Sequence, residues 1–206
     1  MAKLESTFKN MVLSLVIICM VAAGALAGVY LLTLHNIEAQ KKAKQQAAIL
    51  AVLPEGCEIA KPEIVDGLTV YNATINGEFV GAAVETSEDG FNGPQRIMVG
   101  FRPDGTIINY EILEQTETPG LGTHIVEWFK DESKPSQNII GRQATGQFLV
   151  TKDGGEIDAI TAATISSRAF IKAINKAYAA FMDDEMEIEV ATGASQLHHQ
   201  ELNTEN

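Results

Sequence analysis

Two short stretches carry the residue types and spacings that could do chemistry. From Asp158 to Ser167 the chain reads D-A-I-T-A-A-T-I-S-S, with hydroxyls at Thr161, Thr164, Ser166 and Ser167 among small alanines. Directly after it, Phe170, Ile171, Ile174, Ala177, Tyr178 and Phe181 recur at the spacing of one helix face. A Ser/Thr-rich entry to an amphipathic helix is a plain N-terminal cap. It is also a place where unpaired amides and the positive end of the helix dipole attract phosphate. By residue type alone both readings stand. The second stretch, Glu117-Thr118-Pro119-Gly120-Leu121-Gly122, is a tight loop whose backbone can approach a ligand closely. On composition alone it can equally be a turn and nothing more.

Taken together and in this order, the two stretches resemble the FMN-binding domain family. Its members carry FMN as a phosphoester on the last threonine of a D-x-x-[S/T]-G-A-T pattern. Asp158 matches the aspartate, Thr161 the first hydroxyl, Ala163 the alanine and Thr164 the acceptor. Ala162 stands where the family usually has glycine, a residue that permits backbone angles alanine resists. The E-T-P-G-L-G loop, preceded by Phe91-Asn92-Gly93-Pro94, matches a segment that packs on the isoalloxazine in the family. The resemblance therefore implies Glu117, Thr118, Leu121 and Gly122 as cofactor-binding, with Gly93 and Pro94 as a further matching segment. Lys152 precedes the first motif where it could contact the flavin, or be an exposed strand lysine.

What the resemblance implies extends beyond the site. The match covers roughly residues 60 to 182. An anchor, a short stalk and one such domain form a layout similar to family members in Rnf-type ion-translocating complexes and the homologous sodium-pumping NADH:quinone reductase. The expectation is an electron carrier with one covalent FMN on Thr164. Its partners would be the other membrane and redox subunits of an Rnf-type complex, which couples ferredoxin/NAD electron transfer to sodium or proton movement. The ester would be made by a separate flavin transferase using FAD and magnesium; no G-x-x-x-x-G-K-[ST] loop is present. No G-x-G-x-x-G follows any expected strand, so the chain reads as a redox subunit rather than a stand-alone dehydrogenase. The alternatives are a flavin-based membrane redox sensor or regulatory binding module, and a structural tether whose pocket is empty, with Ala162 as the lesion.

Around these motifs the chain supplies strands first and a long helix last, which predicts an α+β fold with a mainly antiparallel sheet. Leu68–Ile75 and Glu78–Glu85 flank Asn76-Gly77, a two-residue hairpin signal. Gln95–Phe101 and Thr106–Glu114 flank Arg102-Pro103-Asp104-Gly105, a second one. In the last of these strands strict alternation puts Ile108, Tyr110 and Ile112 on one face, Ile107 and Leu113 on the other. His124–Lys130 reads as a short helix bearing Trp128 and Phe129. Gln147–Lys152 reads as a strand closed by Asp153-Gly154-Gly155.

Met11 to Leu34 is uncharged and apolar, long enough to span a bilayer. A cleaved signal peptide is the rival, since Ala25-Leu26-Ala27 resembles a cleavage site; a signal's apolar region is shorter, which favours a retained anchor. Residues 1–10 precede the 11–34 span. Residues 35–56 read as a stalk broken at Pro54-Glu55-Gly56, 57–182 as the FMN-binding domain and 183–206 as an acidic disordered tail. Lysines on both sides of the span (Lys3 and Lys9; Lys41, Lys42 and Lys44) do not orient it by charge. The family resemblance implies a single-pass protein of the bacterial cytoplasmic (inner) membrane with its domain on the periplasmic/outer face. A net charge of -12 argues against nucleic acid as a partner. Two cysteines, Cys19 and Cys57, make no disulfide framework, and no His/Cys spacing suggests a metal site.

Overall fold

The computed structural model describes residues 7–144 and 148–183. Helix α1, Phe8–Val52, carries an eighteen-residue window of mean hydropathy 2.6, none of it buried, and is long and apolar enough to cross a membrane. The chain divides into two compact units, one up to Lys44 and one from Gln45 onward. The acidic segment beyond 183 lies outside the described residues.

The second unit is built on one antiparallel sheet. Its strands are β1 (Glu58–Ile59), β2 (Glu63–Val65), β3 (Leu68–Ile75), β4 (Glu78–Asp89), β5 (Pro94–Phe101) and β6 (Ile107–Glu114). Their order is β1-β3-β4-β5-β6, with β2 also paired to β3. Asn76 and Gly77 both take left-handed angles, φ 53° and 83°, the primed turn that matches strand twist. Asp66-Gly67 repeats the device between β2 and β3; the Asp-Gly pair carries the same hairpin signal and marks a strand that the hydrophobic pattern alone does not suggest. The turn at 102–105 is closed by Gly105 N–H to the Arg102 carbonyl, 2.8 Å.

Strict alternation in β6 does not hold. The pairing slips between Gly100↔Asn109 and Phe101↔Ile107, which leaves Ile108 as the extra residue of a bulge. The bulge turns Ile107 onto the face of Tyr110 and Ile112, where all three are buried, and Ile108 is displaced to the half-buried side. Leu113 faces the opposite side, as expected.

Two further expectations change in form. Residues 122–130 make two 3-10 turns, Gly122–Val126 and Trp128–Lys130, rather than one helix. The stretch expected as a strand to Lys152 forms a single parallel bridge, Val150↔Ile157, and then a 3-10 turn, Thr151–Asp153; Gln147 lies outside the described residues. Among the described residues this stretch has no continuous partner strand, so the alternation there has no ladder to join.

The long helix, α2, runs over residues 164–183. Its stripe faces the sheet as the spacing requires: Phe170, Ile171, Ile174, Ala177 and Phe181 are buried. Phe170 stacks on Phe129 (centroids 4.4 Å, 3° between planes) and meets Tyr110 edge-on at 4.8 Å. Each such large side chain stabilises the docked helix by roughly 1.5–3 kcal/mol, so the helix start is held firmly. The other sheet face is covered by Ala48, Ile49, Val52 and Leu53, which pack on Ala73, Ala83, Met98 and Leu113. Asn109 Nδ2 donates to the Ala51 carbonyl at 3.0 Å. The last turns of the expected stalk are therefore part of the folded unit, because their apolar face finds the sheet.

Candidate functional site

Helix α2 begins at Thr164. The first bond of its ladder is Ser167 N–H to the Ala163 carbonyl, 3.0 Å. The amides of Thr164, Ile165 and Ser166 thus precede the ladder and are the orphan donors of a helix start. The chain enters through Ala162 at φ 62°, a left-handed residue that is not glycine. This is the position where glycine would be the least strained choice. Ser167 closes the entry from inside, accepting from Ile160 N–H (2.9 Å) and donating to the Ala163 carbonyl (3.0 Å). Trp128 Nε1 donates to the Asp158 carbonyl at 2.8 Å, and Asp158 N–H donates to the Ser136 carbonyl at 2.7 Å. These bonds tie the motif's first residue to the second 3-10 turn and to the turn that follows it.

The Glu117–Gly122 loop follows β6 and folds back on itself. Leu121 N–H donates to the Thr118 carbonyl (3.1 Å) across Pro119-Gly120, the placement a tight Pro-Gly turn favours. Glu117 turns inward and is buried. Its Oε1 accepts from Phe91 N–H (2.9 Å) and Gln95 Nε2 (2.7 Å), and its Oε2 accepts from Ser166 Oγ (2.8 Å). Three donors from a hairpin loop, a strand and α2 satisfy a buried carboxylate that would otherwise be costly. Gly122 is required by closeness: a Cβ there would stand 2.7 Å from Glu117 Oε2 and 2.7 Å from Ser166 Oγ.

This knot brings the two motifs to one cavity of about 360 Å³, lined by Phe91, Glu117, Thr118, Leu121, Gly122, Ala162, Ala163, Thr164, Ile165 and Ser166. The volume lies in the range of small-molecule sites. Phe91, Leu121 and Ile165 leave large apolar surfaces exposed, at 66%, 40% and 51%. An apolar rim of this kind suits a planar ring better than a sugar or a free ion. At the α2 end, Lys152 Nζ donates to Thr164 Oγ1 at 2.8 Å.

Of the residues singled out from the sequence, Glu117, Thr118, Leu121, Gly122, Ala162, Ala163 and Thr164 line the cavity. Lys152 touches the Thr164 hydroxyl from outside the lining. Thr161 is exposed in the turn before α2, and Asp158 is held by its backbone; neither lines the cavity. Gly93 and Pro94 shape the β4–β5 connection, where Gly90 N–H donates to the Gly93 carbonyl at 2.9 Å, and Phe91 of that loop is the residue at the cavity. Sequence reasoning missed Phe91, Ile165, Ser166 and Gln95 as site residues. Phe91 sits two residues before Gly93, and Ser166 belongs to the hydroxyl cluster, so both had a local signal. Gln95 left none, since its role exists only once β5 meets Glu117.

The donors and rim fit a flavin mononucleotide. Orphan amides and an ammonium at the start of α2 suit a phosphate, and apolar side chains ring the cavity beside them.

Comparison with known proteins agrees. The FMN-binding domain family model matches residues 90–179, a span holding both motifs. The G subunit of the ion-translocating oxidoreductase complex of Pasteurella multocida is 32% identical over 192 residues, covering 82% of this chain and 91% of that protein. Its counterpart in Vibrio atlanticus is 32% identical over 186 residues, covering 80% and 86%. Among solved structures, Shewanella oneidensis NqrC is 20% identical, with a TM-score of 0.45 over 68% of this chain and 74% of that one. With relatives of that identity aligned over nearly their whole length, the chain belongs to the FMN-binding-domain family, among the G subunits of ion-translocating oxidoreductase complexes.

Proposed function

We propose that this chain is a membrane-anchored electron carrier with FMN esterified to Thr164, acting as a subunit of an Rnf-type ion-translocating oxidoreductase complex. One observation carries the reading: two motifs far apart in sequence meet at one cavity, with the Thr164 hydroxyl at its edge and at the first turn of α2. The bound flavin supplies the redox chemistry, gaining and losing electrons singly or in pairs. The chain binds, orients and shields. Amides of residues 164–166 and the α2 dipole stabilise phosphate charge. Phe91, Leu121 and Ile165 offer apolar surface to a ring and exclude water from it. Glu117, with both oxygens occupied by protein donors, holds the loop, β5 and α2 at fixed spacing rather than offering itself to a ligand.

The apolar part of α1 anchors the chain in a membrane, in keeping with relatives named for ion-translocating complexes of several subunits. We place the domain on the outer face of the cytoplasmic membrane, where a lost cofactor is not readily replaced and a covalent tether has the most value. Its partners are then the redox and membrane subunits of the complex, with a flavin transferase needed for maturation.

The test is intact-protein mass after co-expression with a flavin transferase, followed by mapping of the modified peptide. Chain plus FMN minus one water, on the peptide holding Thr164, is the expected result. An unmodified chain overturns the covalent reading, and a tag on another residue moves the site.

A further inference from the structure

We infer that Lys152 is the cation that serves phosphoryl attachment at Thr164, and that the Asp153–Arg168 ion pair positions it. This rests on the reading that Thr164 is the ester site. Lys152 lies on the 3-10 turn Thr151–Asp153, which belongs to neither motif. Its ammonium donates to Thr164 Oγ1 at 2.8 Å. A lysine has three N–H donors and no acceptor. It therefore cannot take the hydroxyl proton while charged; it can stabilise negative charge on Oγ1 as the oxygen attacks.

The next residue explains why that lysine stays in place. Asp153 receives both arms of Arg168, Nε to Oδ2 at 2.7 Å and the terminal nitrogen to Oδ1 at 2.6 Å. Arg168 is four residues beyond Thr164 on α2, so it lies one turn along on the same face. The fork–fork geometry fixes orientation as well as distance. The guanidinium beside it holds the Asp153 carboxyl below the ordinary carboxylate range, so the pair is charged at neutral pH. The turn is thereby pinned to the helix that carries the acceptor, with Lys152 over the hydroxyl.

The attachment step balances without any redox change. Thr164 Oγ1 forms a bond to the flavin-side phosphorus of a flavin adenine dinucleotide, the pyrophosphate P–O bond breaks, AMP leaves, and the hydroxyl proton passes to solvent or the transferase. The product is a diester bearing one negative charge, and Lys152 then faces that charge instead of a neutral hydroxyl. Lys152 is a direct contact of the reacting oxygen; Asp153 and Arg168 are positioning residues.

The experiment uses the full-length chain in detergent with purified flavin transferase, FAD and magnesium, following the FMN-bearing mass with time. Lys152→Met is expected to slow attachment at least tenfold, with Lys152→Arg within about threefold of the parent and Asp153→Asn between the two. In loaded protein the 31P resonance of the diester should move in Lys152→Met, a change that general loosening of the turn would not by itself produce. Thermal unfolding of the unloaded chain should be unchanged in Lys152→Met, because this lysine is exposed. Attachment at the parental rate in Lys152→Met overturns the inference while leaving the ester reading intact. Failure of Lys152→Arg to restore the rate also overturns it, since charge would then not be what matters. A parent chain that never gains the mass sinks the ester reading itself, a result separable from both.

Discussion

Replacing Ala162 by glycine tests the backbone at the entry to α2. Ala162 has φ 62° and an exposed side chain, so the exchange removes strain and little packing. An L-residue in the left-handed region costs roughly 1–2 kcal/mol that glycine does not. Glycine's extra freedom in the unfolded chain takes back about 0.4–1 kcal/mol. The net expectation for Ala162→Gly is a gain of about 0.8 kcal/mol, or roughly 2–3 °C in Tm for a chain of this size. Ala162→Val should move the other way by about 1–2 kcal/mol, because a β-branched residue at positive φ is strained. Denaturant unfolding of the full chain in detergent, followed through Trp128, gives the numbers. Trp128 is the sole tryptophan and is bonded to the Asp158 carbonyl inside the motif. A loss of more than about 0.5 kcal/mol in the glycine variant, against the strain relief expected from the left-handed angle, would refute the reasoning. Equal stability of the glycine and valine variants would refute it as well.

Thr164→Val should abolish the FMN-bearing mass while shifting Tm by no more than about 2 °C, since it changes one hydroxyl for a methyl of the same shape. Glu117→Ala should cost about 3 kcal/mol in denaturant unfolding, because three donors lose a buried carboxylate; Glu117→Gln should cost less, about 1–2 kcal/mol. Tyr110 is buried with its hydroxyl donating to the Ile125 carbonyl at 2.7 Å, and burial raises its pKa above the ordinary value near 10. Its contribution is complete below pH ~10 and is lost as pH rises further, where only the unfolded chain ionises, at up to about 1.4 kcal/mol per pH unit. Tyr110→Phe should remove that alkaline slope and cost about 1–2 kcal/mol at neutral pH by leaving a buried carbonyl unpaired; urea midpoints between pH 7 and 11 would show both.

Local chemistry made much of this molecule legible. Asn76-Gly77 announced its hairpin because only residues tolerant of left-handed angles close a two-residue turn. The spacing of Phe170, Ile174, Ala177 and Phe181 placed α2 and its buried face, since a helix has one period and one core to meet. What depended on distant partners was not legible. The β6 bulge at Ile108 arises from pairing with Gly100 and Phe101, so alternation assigned Ile107 to the wrong face. The stretch through Val150 has strand composition but, among the described residues, no neighbour to pair with beyond one bridge. Ala48, Ile49, Val52 and Leu53 read as the end of a spacer until the sheet that covers them is known. At the site, resemblance singled out the cavity's two walls and Ser166 stood in the hydroxyl cluster, while the role of Gln95 became visible only when those walls met.

On the proposed ester reading, the hydroxyls at the mouth of α2 also bear on how a modifying enzyme would tell near-identical alcohols apart. Ser166 spends its proton on Glu117, and Ser167 is shared between Ile160 and Ala163. Both are buried. Thr161 is exposed and does not line the cavity. If Thr164 carries the ester, selection among Thr161, Thr164, Ser166 and Ser167 would already be favoured by the fold, since the two serines are internally bonded and Thr161 lies outside the cavity lining. On that reading a transferase would need less discrimination of its own, because the fold leaves Thr164 as the cavity-lining hydroxyl of the four that is not buried.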